Sequence, residues 1–178
     1  MENRIRVKSN LDILSEFASR YPVDVKAAAE AIGVRVFYDE LPAGMSGKIQ
    51  RDENGKYYIV ANINEPDERQ RFTIAHELGH YIYHRSLIGD GVSDSPAYRA
   101  LDESVYETTP LERFHETQAN RFAANLLMPR ALLRKAEAEH PDADPRRLAA
   151  FFGVSEDAMR IRQGLPTKRQ KALQEEAL

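Results

Sequence analysis

The chain's 178 residues, 42% hydrophobic and 30% charged, make one domain's worth of sequence with enough apolar material for a single core. A balance of 25 Lys and Arg against 28 Asp and Glu leaves a net charge of −3, which excludes bulk attraction to nucleic acid or anionic lipid. With no cysteine, disulfides, thiolate zinc sites, iron–sulfur clusters and a cysteine nucleophile are excluded.

The start, Met1 to Lys8, carries charges where a signal peptide needs an apolar stretch. No run approaches the ~20 apolar residues that span a bilayer, so a soluble, cytoplasmic protein is expected. The pattern predicts a helix over Leu11–Arg20, with Leu11, Leu14 and Phe17 on one side, and a second over Val25–Ile32 ended by Gly33. Val34–Leu41 alternates like a strand. Ser46–Arg51 and Lys56–Ile63 read as two strands joined by Asp52-Glu53-Asn54-Gly55, a hairpin signal. Pro66, Asp67 and Glu68 open a helix that should run to about His84. Ser86–Pro110 is loose, and a connection of that length suits a functional lid. Leu111–Met128 is the next helix, its apolar side formed by Leu111, Phe114, Phe122 and Leu126, with Pro129 stopping or bending it. Helices over Ala131–Glu139, Pro145–Phe152 and Ser155–Arg162 follow, and the polar tail Thr167–Leu178 is expected to fray.

His76-Glu77-Leu78-Gly79-His80 matches H-E-x-x-H inside a predicted amphipathic helix. Residues four apart lie nearly above one another, so both imidazoles can reach one ion. Glu77, about a quarter-turn round, is placed beside a zinc-activated water as its general base. A catalytic zinc needs a third protein ligand. His84 continues the i+4 series, but eight helical residues span roughly 12 Å, too far from His76 for one ion. A solvated or hydrogen-bonded role at the helix end fits it better, and His140 reads the same way. Glu116 is the better third ligand: it shares a helix side with Asn120 and Ala123, and small Ala119 and Ala123 allow close approach to the first helix at Gly79. Asn120 can orient a ligating imidazole through its other nitrogen. His115 is a rival ligand or a possible oxyanion donor, and Tyr98 and Tyr106 are further donor candidates.

The run Arg71–His80, the segment Glu116–Asn120 and Phe122-Ala123-Ala124-Asn125-Leu126-Leu127-Met128-Pro129 together resemble the ImmA/IrrE-type zinc metallopeptidases. Val23–Val36, Ser46-Gly47 and Leu148–Arg162 are similar too, so the resemblance covers roughly residues 22–163. It implies an α+β, zincin-like fold with a small antiparallel sheet packed on several helices. It also implies Zn2+ held by His76, His80 and Glu116, with Glu77 as general base. The partner it implies is a repressor or antitoxin of helix-turn-helix type, in toxin–antitoxin or stress-response systems.

Residues 1–142 are expected to form the catalytic unit and 143–178 a helix-turn-helix-like unit with a polar tail, packed on the first. Ala149 to Arg162 has the small-residue turn of that motif. Yet Glu156 and Asp157 open its second helix, where they would repel phosphates. Two alternatives to a peptidase stay open at this point: a metal-binding regulator or toxin-like protein acting by protein binding, and a DNA-binding regulator.

Overall fold

The computed structural model describes residues 7–88 and 110–176. The stretch expected to act as a lid, with Tyr98 and Tyr106, lies outside the described residues apart from its two ends.

The order of elements is α1 (Asn10–Phe17), α2 (Val25–Ala31), β1 (Arg35–Asp39), β2 (Gly47–Arg51), β3 (Tyr57–Asn62), α3 (Asp67–Tyr83), α4 (Pro110–Leu127), α5 (Arg130–Glu139), α6 (Pro145–Phe152), α7 (Glu156–Gln163) and α8 (Lys168–Glu176). The expected α+β class holds. The sheet, however, is mixed: strand order is β1-β3-β2, with β2 antiparallel and β1 parallel to β3. The reason lies in β3. Its run Tyr57 to Asn62 is the most buried of the three strands, as suits a central position. The hairpin places β2 on one side, and β1, exposed at Arg35, Phe37, Tyr38 and Asp39, takes the other. At the turn, the Asp52 side chain accepts the Asn54 and Lys56 backbone N–H groups at 3.0 and 2.8 Å. Gly55 supplies the positive φ of 75°.

Other local expectations shift for physical reasons. The middle of α3 is enclosed all round, with every residue from Thr73 to Tyr81 buried, rather than amphipathic. On α4, Phe114 is 62% exposed, and the core side is Ala119, Phe122, Ala123, Leu126 and Leu127. The tail is helical as α8 instead of frayed. Thr167 caps it reciprocally: its hydroxyl accepts the Gln170 N–H at 3.3 Å and the Gln170 side chain accepts the Thr167 N–H at 2.9 Å.

One buried cluster runs from Leu14 to Met159 and includes Leu148, Phe152 and Val154 of the C-terminal helices. Phe152 stacks on Tyr21, ring centroids 4.4 Å apart. Arg71 of α3 donates to the Gly153 carbonyl at 3.0 Å and to the Val23 carbonyl at 2.7 Å. It thereby ties the turn between α6 and α7 to the start of the chain. Among the described residues, no helix is long and apolar enough to cross a membrane.

Candidate metal centre

Two glycines bring the walls of this site together. A Cβ at Gly79 would lie 2.9 Å from the Cα of Ala119, so α3 and α4 cross with backbones nearly touching. A Cβ at Gly47 would collide with Thr73 Cγ2 and lie 2.9 Å from the Val60 carbonyl oxygen, so β2 presses onto α3 one turn before His76. Gly is a poor helix former, costing ~1 kcal/mol relative to Ala; at Gly79 that cost accompanies the close crossing.

The crossing brings three side chains to one point. His76 Nε2 and His80 Nε2 are 3.0 Å apart, and each lies 3.2 Å from an oxygen of Glu116. Both histidines are buried and Glu116 is half-buried. A tetrahedral ion holding ligands at ~2.0–2.1 Å would separate them by about 3.3 Å; the two nitrogens and the two carboxylate oxygens stand at 3.0 and 3.2 Å, so the three side chains fit a divalent ion. Without a cation or shared protons, two imidazole nitrogens and a carboxylate this close would repel one another. The electrostatics show the same demand. Burial pushes the Glu116 carboxyl up, but hydrogen bonds from His76 and His80 outweigh it and bring it down to about 2. Burial works to lower His76, yet the Glu116 hydrogen bond and the Glu77 and Glu116 charges raise it.

Glu77 lies among these groups without belonging to the set. It is 3% exposed, and burial drives its carboxyl above the ordinary range against the pull of His76 and His80. A backbone hydrogen bond from Ile49 of β2 works to lower it, while among the described residues its Oε2 has no hydrogen-bond partner. A buried carboxylate oxygen left unpaired is costly, and this one is chemically poised to take a proton.

The outer nitrogens are also engaged. His76 Nδ1 meets Asn120 Oδ1 at 2.9 Å, as the spacing from Glu116 anticipates. His80 Nδ1 meets His84 Nδ1 at 3.0 Å, and His84 Nε2 meets Gln118 Oε1 at 3.0 Å. His84 is thus the hydrogen-bonded helix-end residue of the sequence reading, but buried, at 5% exposure, and its imidazole is lowered by that burial. Gln118 escapes sequence reasoning, because two residues from Glu116 it lies off the face shared with Asn120. His115 stands outside the three-residue set, its ring centroid 4.3 Å from that of His84. His140 packs on Phe151 at 4.9 Å, away from the cluster.

The model of the IrrE N-terminal-like domain, a peptidase family, matches residues 29–163, which carry the whole cluster. The chain belongs to the ImmA/IrrE metallopeptidase family. It is 30% identical over 109 residues to metallopeptidase ImmA of Bacillus subtilis, covering 61% of this chain and 57% of that one. It is 41% identical over 75 residues to the radiation response metalloprotease IrrE of Deinococcus radiodurans, covering 42% of this chain and 20% of that one. In fold it is similar to a Mycobacterium tuberculosis transcriptional regulator, at TM-score 0.55 and 20% identity, over 90% of this chain and 48% of the other. The chain therefore spans less than two thirds of the length of each of these ImmA/IrrE relatives and this structural neighbour.

Proposed function

We propose that this chain is a zinc-dependent endopeptidase that hydrolyses a peptide bond in a specific cytoplasmic regulatory protein, a repressor or antitoxin of helix-turn-helix type. The observation that carries the reading is the convergence of His76, His80 and Glu116 beside a buried Glu77 whose Oε2 is unpaired among the described residues. In this reading His76, His80 and Glu116 hold the ion, and Asn120 fixes the ring of His76. When bound, a divalent ion supplies Lewis acidity, which brings the pKa of water toward ~7 and polarises a carbonyl. Glu77 takes the proton of the attacking water at Oε2 and passes it to the departing amine. Its raised pKa suits both transfers, since the group must hold the proton between them. The Ile49 N–H keeps the other side of the carboxylate in place.

Substrate is held by strand addition. Because β3 is central and paired on both sides, the hairpin edge with no strand partner among the described residues belongs to β2, the strand that touches Glu77 through Ile49. Main-chain pairing along that edge brings an extended peptide to the base without demanding one sequence. The C-terminal helices support this unit instead of reading DNA. Arg160 pairs with Glu156 at 3.0 Å, Arg162 donates to the Met128 carbonyl at 2.9 Å, and Lys168 pairs with Glu156 at 2.8 Å.

The test is Glu77→Gln, co-expressed with the products of neighbouring genes. Glutamine keeps the shape and can accept from Ile49, so zinc stays bound while partner cleavage falls by about 10²–10⁴-fold. Cleavage that persists in this variant would remove Glu77 from the mechanism.

A further inference from the structure

The hydrogen-bond chain behind His80 has a direction. A ring that offers Nε2 to a cation must carry its proton on Nδ1, and His80 Nδ1 lies 3.0 Å from His84 Nδ1. That nitrogen must then accept, which leaves the proton of neutral His84 on Nε2. His84 Nε2 lies 3.0 Å from Gln118 Oε1, an acceptor with no proton to give. Each proton has one place, and the chain ends on a carbonyl oxygen. The reverse arrangement, started by a Gln118 amide donor, would put the His80 proton on Nε2 and close that nitrogen to a metal. Both rings are buried, at 3% and 5% exposure, so water does not replace these partners freely.

We propose that His84 and Gln118 are positioning residues that lock His80 as its Nδ1–H tautomer and aim its Nε2 at the metal. The inference rests on the metal reading of His76, His80 and Glu116 given above. It distinguishes the two ligating imidazoles. His76 is held by one amide from α4, whereas His80 is held by a two-step relay that begins at the C-cap of its own helix and ends on α4.

The experiment is zinc competition against a chromophoric chelator, with thermal unfolding of each metal-free protein alongside. His84→Leu keeps approximate volume but cannot accept a proton, and zinc affinity should fall about 10–100-fold, the usual cost of losing such a partner. His84→Asn sets an amide oxygen near the position of Nδ1 and should restore affinity to within about threefold of the starting protein. Gln118→Leu, at a half-buried position, should lose about 3–10-fold. In the zinc-loaded protein, long-range proton–nitrogen spectra should show His84 as the Nε2–H tautomer. Unchanged zinc affinity in folded His84→Leu, equal losses for the Leu and Asn variants, or an Nδ1–H tautomer of His84 each overturns the proposal. Should His84→Leu not fold, the Gln118 variant and the tautomer decide. A starting protein that binds no zinc instead removes the metal reading itself.

Discussion

Replacing Gly79 by alanine tests the contact on which the candidate metal centre depends. The added Cβ would meet Ala119 at 2.9 Å from its Cα, 3.2 Å from its carbonyl oxygen and 3.3 Å from its Cβ. Comfortable carbon–carbon separation is about 3.5–4.0 Å, so the two backbones must part by about 0.6 Å or more. No rotamer can absorb this, because every atom struck is backbone or the first atom of a side chain. Ala119 lies three residues beyond Glu116 on α4, and a helix moves over that distance as a rigid body. Metal sites tolerate errors of about 0.2 Å in ligand distance, well below that displacement. Zinc affinity should therefore fall about 10–100-fold, comparable to losing a supporting residue. Stability of the metal-free protein gains ~1 kcal/mol from helix propensity and loses about 1–3 kcal/mol to overpacking. A net loss of about 0–2 kcal/mol follows. Zinc competition and urea unfolding in chelator measure the two quantities separately. A Gly79→Ala protein that is more stable without metal and binds zinc unchanged would refute the close crossing.

Two further substitutions probe the frame around α3. Arg71→Met removes charge-assisted hydrogen bonds to the Gly153 and Val23 carbonyls, and unfolding in urea should show a loss of about 2–4 kcal/mol. A loss below about 0.5 kcal/mol, a surface-substitution value, would mean that the strut carries nothing. Hydrogen bonds from Lys168 and Arg160 hold the Glu156 carboxyl below its ordinary value of 4.5. Its folded pKa is thus below its unfolded one, so the pair adds stability above that ordinary value and loses it as pH falls toward the folded pKa. Glu156→Gln should accordingly flatten the stability–pH curve from pH 4.5 downward, and an unchanged acid limb in unfolding measurements would contradict this.

How much could be read from sequence depended on the range of the signal. His76, Glu77 and His80 were legible because the helix period alone puts both rings on one side. Glu116 and Asn120 were legible because small Ala119 and Ala123 mark a face where a second helix can come close, and Gly79 marks the complementary spot. Strand order was not, since hairpin chemistry at Asp52 to Gly55 fixes which strands are consecutive but not which edge of β3 a third strand takes. Phe114 misled because helical spacing matches its apolar neighbours, while its position near the start of α4 leaves it beyond the core. The Thr167 to Gln170 capping box was present in the sequence, and the polarity of the tail hid it. Gln118 could not be reached at all: its role depends on how α4 crosses α3, which local periodicity does not encode.

The glycines at 47 and 79 divide the work of the site. Gly79 sets the distance between α3 and α4, and so between the two imidazoles and Glu116. Gly47 sets the distance between α3 and β2, and so the reach of the Ile49 N–H to Glu77. The proposed ligands and the proposed base are thus placed by different contacts on one helix. Burying His76, Glu77 and His80 in the enclosed middle of α3, with His84 buried at its end, is expensive, and among the described residues the partners from α4 and β2 satisfy them only in part, leaving Glu77 Oε2 unpaired. Widening the α3–α4 crossing should weaken metal binding while sparing the base, and widening the β2–α3 contact should do the reverse. That separability follows from geometry alone, and it explains why α3 is clamped at two glycines when either one costs helix or strand stability.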